Sequence, residues 1–239
     1  MKYTTIIFDL DGTLLDTLED LTDSVNYALK KYNYPTHTID EVRYMVGSGI
    51  KVLIERAIPK GATNFDEVYQ AFLDNYKINR TNKTKPYPEV FETLETLKKM
   101  NVKMAIVSNK YQDGVTGICK PIFGKYIDVM IGEKPGIAKK PSKDMVMLAI
   151  KMLDADINKT IYVGDSDIDI FTANNSGIDC IGASWGFRGE AFLREMKATY
   201  IAKKFSDILR RQIDFAFSEI TSKKNPNQSA KGKTMKKYL

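Results

Sequence analysis

The stretch IIFDLDGTLLDT, residues 6–17, decides how this chain is read. An apolar run ends in Asp9, Asp11 follows one residue later, and Gly12 and Thr13 come next. A turn out of a strand needs only one such acid. Alternate residues of a strand project to the same side, so the spacing aims both carboxylates at one point. The section from Lys2 to Asp9 therefore reads as a strand with a reactive polar end.

Three further apolar runs end in small or acidic residues: VKMAIVSN (102–109), TIYVGDSD (160–167) and IDCIGAS (178–184). Helical spacing lies between them, with Val90, Leu94 and Leu97 in one segment and Val146, Ile150 and Leu153 in another. The alternation predicts an α/β chain, a Rossmann-like doubly wound parallel sheet with right-handed crossovers and helices on both faces. Such sheets bind ligands at the carboxyl ends of their strands, which is where the polar clusters fall. Residues 16–85 break the rhythm with helical stretches from Thr17 to Lys31, Thr38 to Met45, Ile50 to Ala57 and Asn64 to Asn79. Thr38 and Glu41 fit a capping box. The pattern predicts a core of residues 1–15 and 86–222 with an all-helical cap domain inserted at 16–85.

Composition narrows the function further. A chain of 239 residues with 43% hydrophobic content can fill a core. No apolar run approaches the ~18 residues that span a bilayer, and MKYTTIIFDL meets an acid before a secretory segment could form. The expectation is a cytoplasmic protein without membrane contact. The net charge of +6 belongs to six lysines between 223 and 239, a stretch with no acid, so the first 222 residues carry a net charge of zero. That basic tail, KKNPNQSAKGKTMKKYL, is predicted to be disordered, with weak contact to nucleic acid or another polyanion as its one binding role. Cys119 and Cys180 are predicted to be buried and reduced, and His37 to lie on a surface loop of the cap.

The strand ends gather Asp9, Asp11, Ser108, Asn109, Asp165, Asp167 and Asp169, and Lys140 joins them from the loop KKPS. Taken singly, each has an ordinary explanation as a turn residue, a helix-start acid or a cap. Together, acids this dense would repel one another unless a cation sat among them. Such a hard oxygen site suits Mg2+, and the neighbouring lysine and hydroxyl point to a phosphate as a further ligand.

DLDGTLLDT resembles the first motif of the haloacid dehalogenase superfamily phosphatases, SNK the second, Lys140-Pro141 the third and GDSDID the fourth, in the family's order. The resemblance implies that Asp9 is a nucleophile forming an aspartyl phosphate and that Asp11 is the general acid and base. It implies that Gly12 permits the turn, Thr13 contacts the site, Ser108 and Asn109 hold phosphate oxygens, and Lys140 neutralises charge. Asp165 would bind Mg2+ with Asp9 and the backbone carbonyl of Asp11, and Asp169 would orient metal waters; Asp167 receives no role. Within the cap, VGSGIKVLIERAI resembles the pattern GxGxxxLxxRA of phosphoglycolate phosphatases, through Gly47, Gly49, Leu53, Arg56 and Ala57. PYPEV and ASWGF (183–187) resemble the same group. Backbone amides at the two glycines would approach an anionic group, and Arg56 would pair with a carboxylate or stay on the helix surface. The implied activity is a Mg2+-dependent phosphatase for a small phosphorylated metabolite, foremost phosphoglycolate, working as a monomer or homodimer. Pyrophosphate, nucleotides and sugar phosphates remain alternative substrates, and a non-catalytic protein holding a polyanion with the basic tail is a further alternative.

Overall fold

Ile6, Ile7 and Phe8 are all inaccessible to solvent, as a parallel strand covered on both faces must be. The computed structural model describes residues 2–210. The last part of the expected core, 211–222, and the basic tail, 223–239, lie outside the described residues.

Strand β1 (Thr5–Phe8) is followed by β2 (Leu15–Asp16) and helices α1 (Leu18–Lys31), α2 (Ile39–Met45), α3 (Ile50–Ala57) and α4 (Phe65–Asn79). The chain continues through β3 (Lys85–Pro86), α5 (Val90–Lys99), β4 (Lys103–Tyr111), α6 (Gln112–Phe123), β5 (Val129–Glu133) and α7 (Asp144–Met152). Then come β6 (Thr160–Gly164), α8 (Asp167–Ser176), β7 (Asp179–Ala183), α9 (Gly189–Glu195) and β8 (Tyr200–Ala202). Six of these strands form one parallel sheet in the order β5-β4-β1-β6-β7-β8. At its centre Phe8 is in register with Ile106 on one side and Val163 on the other.

The pleat divides β1 between two cores. Ile6 and Phe8 pack with Leu94 and Leu97 of α5 and Ile118 and Phe123 of α6. Ile7 packs on the opposite face with Val146 and Ala149 of α7 and Ile170 and Ala173 of α8. The doubly wound architecture is therefore present. β5 and β8, of five and three residues, are strands beyond the four apolar runs that the sequence declares. The run at 160–167 leaves the sheet at Gly164, since Ser166 caps α8 and Asp169 closes the reciprocal capping box.

Helices α1 to α4 surround a third cluster that includes Leu21, Val25, Leu53, Val68 and Phe72. The expected capping box of α2 is present, with Thr38 and Glu41 bonded in both directions. His37 is half-buried rather than on the surface, its Nε2 2.8 Å from the Ala57 carbonyl oxygen. The chain enters this bundle at β2 and leaves it at β3, and the two pair antiparallel, Leu15 beside Pro86 and Asp16 beside Lys85. Cys119 and Cys180 are buried free thiols, and burial pushes that of Cys119 up to about 12. Among the described residues no helix is long and apolar enough to cross a membrane.

Candidate active site

The carboxyl end of β1 places Asp9 beside the ends of β4 and β6. Carboxylate oxygens of Asp9, Asp165 and Asp169 lie within 4.8 Å of one another, and all three residues are buried. Lys140 enters between them with a side chain only 2% exposed, its Nζ 2.8 Å from Asp9 Oδ1 and 2.8 Å from Asp169 Oδ1. It also donates to the Tyr162 hydroxyl at 3.1 Å. Three buried carboxylates thus share one buried ammonium, and the fully ionised group carries two uncompensated negative charges.

The electrostatics follow from that imbalance. Burial, followed by the charges of Asp169 and Asp165, holds the Asp9 carboxyl well above its ordinary range despite Lys140. Burial and the Asp169 charge push Asp165 up to about 7. Burial alone would lower Lys140, but Asp169 and Asp9 raise it well above an ordinary lysine, so it is a fixed cation. The arrangement is able to hold a divalent metal ion, which would supply the missing positive charge.

Asp165 is held by backbone and small residues. It accepts from the Phe187 amide at 2.7 Å and from the Thr13 hydroxyl at 3.3 Å. A Cβ at Gly12 would run into the Asp165 carboxyl, and Gly12 also has φ +86°, so the turn after β1 requires glycine twice over. A Cβ at Gly186 would strike both Asp165 and the Gly12 carbonyl. The ASWGF stretch therefore braces a carboxylate of the site. Asp169 has both oxygens engaged: Oδ1 meets Lys140, and Oδ2 accepts from the amides of Asp165 and Ser166 and from the Ser166 hydroxyl.

The other expected residues divide. Asp11 stands apart from the three-carboxylate cluster: it is half-buried, and its Oδ1 lies 3.0 Å from Lys110 Nζ. The spacing of Asp9 and Asp11 thus delivers two carboxylates to one rim, each on a different lysine. Ser108 is buried on the wall of the cavity, where its Oγ accepts from the Lys110 amide. Asn109, expected on a phosphate oxygen, has its side-chain amide bonded within the protein. Its Nδ2 donates to the carbonyls of Lys140 and Gly47, at 3.0 and 3.2 Å, and its Oδ1 accepts from the Lys140 amide. Asp167 starts α8 outside the cluster.

A cavity of about 50 Å³ lies between this rim and the helical bundle. Gly47 and Gly49 line it with Leu21, Val46, Ile50 and Leu53. Arg56 does not line it: its guanidinium is exposed and donates to the Met45 carbonyl, because it sits on the outer face of α3. The arginine on the wall is Arg188, after Phe187, which donates to the carbonyls of Arg43, Tyr44 and Val46 and so ties the sheet to the end of α2. Lys110 is the second residue that sequence reading passed over, although it is the last letter of the SNK stretch.

The model of the haloacid dehalogenase-like hydrolase family matches residues 6–183. A phosphoglycolate phosphatase of Aquifex aeolicus is 34% identical over 184 residues, 76% of this chain and 85% of that protein. One from Caulobacter vibrioides is 30% identical over 210 residues, 85% of this chain and 88% of the relative. A solved structure of a predicted phosphoglycolate phosphatase from Haemophilus somnus 129pt superimposes with a TM-score of 0.82 at 30% identity, covering 89% of this chain and 99% of that one. With its motifs on one sheet rim and this likeness along most of its length, the chain belongs to the haloacid dehalogenase-like hydrolases, as an enzyme of the phosphoglycolate phosphatase-like group.

Proposed function

We propose that this chain is a Mg2+-dependent phosphatase that hydrolyses 2-phosphoglycolate through an aspartyl phosphate on Asp9. The observation that carries the reading is the buried set of Asp9, Asp165, Asp169 and Lys140, of which Asp9, Asp165 and Lys140 line the cavity between the sheet and the helical bundle. The names of the relatives support the choice of substrate. The division into a core of residues 1–15 and 86–222 and a cap of 16–85 is part of the proposal, supported by the separate apolar cluster of the four helices. So are a cytoplasmic setting, in keeping with two free buried thiols, and action as a monomer or homodimer.

An Asp9 oxygen attacks phosphorus while the bond from phosphorus to the ester oxygen breaks. Asp11 delivers a proton to that departing oxygen, then takes one from the water that cleaves the aspartyl phosphate and restores Asp9. Lys140, already paired with Asp9, neutralises charge on the nucleophile and the transferring group. Ser108 donates its hydroxyl to a phosphoryl oxygen, with Gly12 and Thr13 shaping the wall beside it. Asp9 and Asp165, with the Asp11 carbonyl, would hold Mg2+, which would supply positive charge to the phosphoryl oxygens. Asp169 steadies Lys140 through Oδ1 and the start of α8 through Oδ2, and would orient the waters of the metal from outside its ligand set. Gly47 and Gly49 bring the cap against the rim and exclude bulk water.

The test is a comparison of kcat/KM for phosphate release from 2-phosphoglycolate, pyrophosphate, nucleoside monophosphates and sugar phosphates. We expect 2-phosphoglycolate to lead by at least about tenfold. A flat profile, or another substrate in the lead, would overturn the substrate while leaving the phosphatase class intact.

The metal assignment has a thermodynamic signature. Asp9 and Asp165 hold protons more tightly in the fold than in the unfolded chain. Without a cation, their contribution to stability is therefore present below the ordinary carboxylate range and lost as the pH rises to about 7, the value for Asp165. A divalent cation offsets that loss. The rise in Tm on adding saturating Mg2+ to chelator-treated protein is expected to grow from roughly pH 5 to pH 8. An increment independent of pH would contradict a cation at these carboxylates.

A further inference from the structure

Lys110 is a buried cation on the cavity wall that the chemistry above leaves without a task. Its side chain, near the end of β4, is 4% exposed, and its Nζ lies 3.0 Å from Asp11 Oδ1 and 2.7 Å from the Tyr76 hydroxyl on α4. An ammonium has three N–H bonds to donate. Tyr76 takes one, and the Asp11 carboxylate takes a second, shared between Oδ1 at 3.0 Å and the more distant Oδ2 at 3.4 Å. Burial alone would lower its pKa, but the Asp11 charge and the Tyr76 hydroxyl hold it above that of an ordinary lysine, so it remains charged.

We propose that Lys110 selects the substrate by donating its third N–H to a carboxylate carried on the leaving group. The inference rests on the reading of Asp11 as proton donor to the ester oxygen. That oxygen must stand beside Asp11, so the carbon atoms of the leaving group begin there. A carboxylate one carbon beyond the ester oxygen then falls beside the cation that Asp11 already holds. Of the other cations on the wall, Lys140 gives all three of its N–H groups to Asp9, Asp169 and Tyr162, and Arg188 is anchored by three of its five N–H groups to backbone carbonyls of the helical bundle, away from Asp11. The wall opposite is apolar, with Leu21, Val46, Ile50 and Leu53, so a carboxylate entering it without a charged partner would be strongly disfavoured. Tyr76 comes from the bundle, so the ammonium has this orientation only while the bundle lies against the sheet.

Ethyl phosphate and 2-phosphoglycolate isolate the effect, because they share the phosphate, ester oxygen and first carbon and differ in a methyl against a carboxylate. Wild-type enzyme is expected to prefer 2-phosphoglycolate. In Lys110→Met, which keeps the apolar stem, kcat/KM for 2-phosphoglycolate is expected to fall roughly 100-fold and that for ethyl phosphate by less than about tenfold. Equal losses on the two esters would overturn the proposal and make Lys110 a positioning residue for Asp11. Wild-type enzyme with no preference between them would overturn the substrate reading itself, and the inference with it. Should Lys110→Met lose its circular dichroism spectrum, Lys110→Gln makes the same comparison with a neutral donor.

Discussion

Asp9→Asn is expected to cut phosphate release at least ~10⁴-fold, because an amide oxygen is a poor nucleophile toward phosphorus. The loss should be wholly in chemistry. Asparagine fills the same volume, and Asp9 is a carboxylate that its surroundings already hold toward the protonated form. The chelator-treated variant at alkaline pH is therefore expected to melt at or above the wild-type temperature, since one of three crowded charges has gone. Activity would be followed by phosphate release, and folding by thermal denaturation of the same preparation. Retained turnover would remove Asp9 from the nucleophile's role. Lost turnover with a large drop in Tm would show a structural charge instead.

Lys140→Met is expected to fail in both respects. Removing the ammonium leaves Asp9 and Asp169 buried without their 2.8 Å partner, a change that costs roughly 3–5 kcal/mol when one member of a buried pair is lost. Catalysis should fall about 10³-fold as well, because the charge on the attacking and transferring oxygens loses its fixed counterion. Urea denaturation separates the causes. At acid pH the carboxylates take up protons and much of the stability should return, while activity should not. A variant as stable as wild type at pH 8 would show that the Lys140 charge is not what stabilises this buried cluster.

How much of this was legible follows from the range over which each signal acts. Strands β1, β4, β6 and β7 declare themselves through local apolar runs, and the helices through 3.6-residue spacing. Asp9, Lys140, Asp165 and Asp169 could be grouped because a parallel sheet brings all its strand ends to one rim, so order along the chain becomes proximity in space. Lys110 carries no such mark. A lysine after Ser-Asn reads as a solvated residue, and its burial depends on Tyr76, 34 positions earlier on another element. The same holds for Arg56 and Arg188. A three-residue spacing places Arg56 on the bundle, but which face turns inward is settled by packing among four helices, and the wall goes to an arginine more than a hundred positions away. The bracing role of Asn109 was hidden for a related reason: the carbonyls it bonds, Lys140 and Gly47, belong to segments that local pattern cannot place beside it.

The short ribbon of β2 and β3 has a consequence for how such a protein can change over time. Leu15 lies beside Pro86 and Asp16 beside Lys85, so the helical bundle hangs from the sheet by two adjacent backbone threads. Any replacement segment whose own ends lie one strand spacing apart would meet the same two anchor points without breaking a backbone pairing of the parallel sheet. The reacting carboxylates Asp9, Asp165 and Asp169 and the ammonium of Lys140 all lie outside the replaceable stretch, whereas Gly47, Leu53 and Tyr76 lie inside it. Reaction type is thus written wholly outside the replaceable stretch, while substrate choice is shared across the seam, with Lys110 on the sheet and the Tyr76 that orients it on the bundle, so a lineage that traded one bundle for another could alter what it cleaves while keeping the way it cleaves.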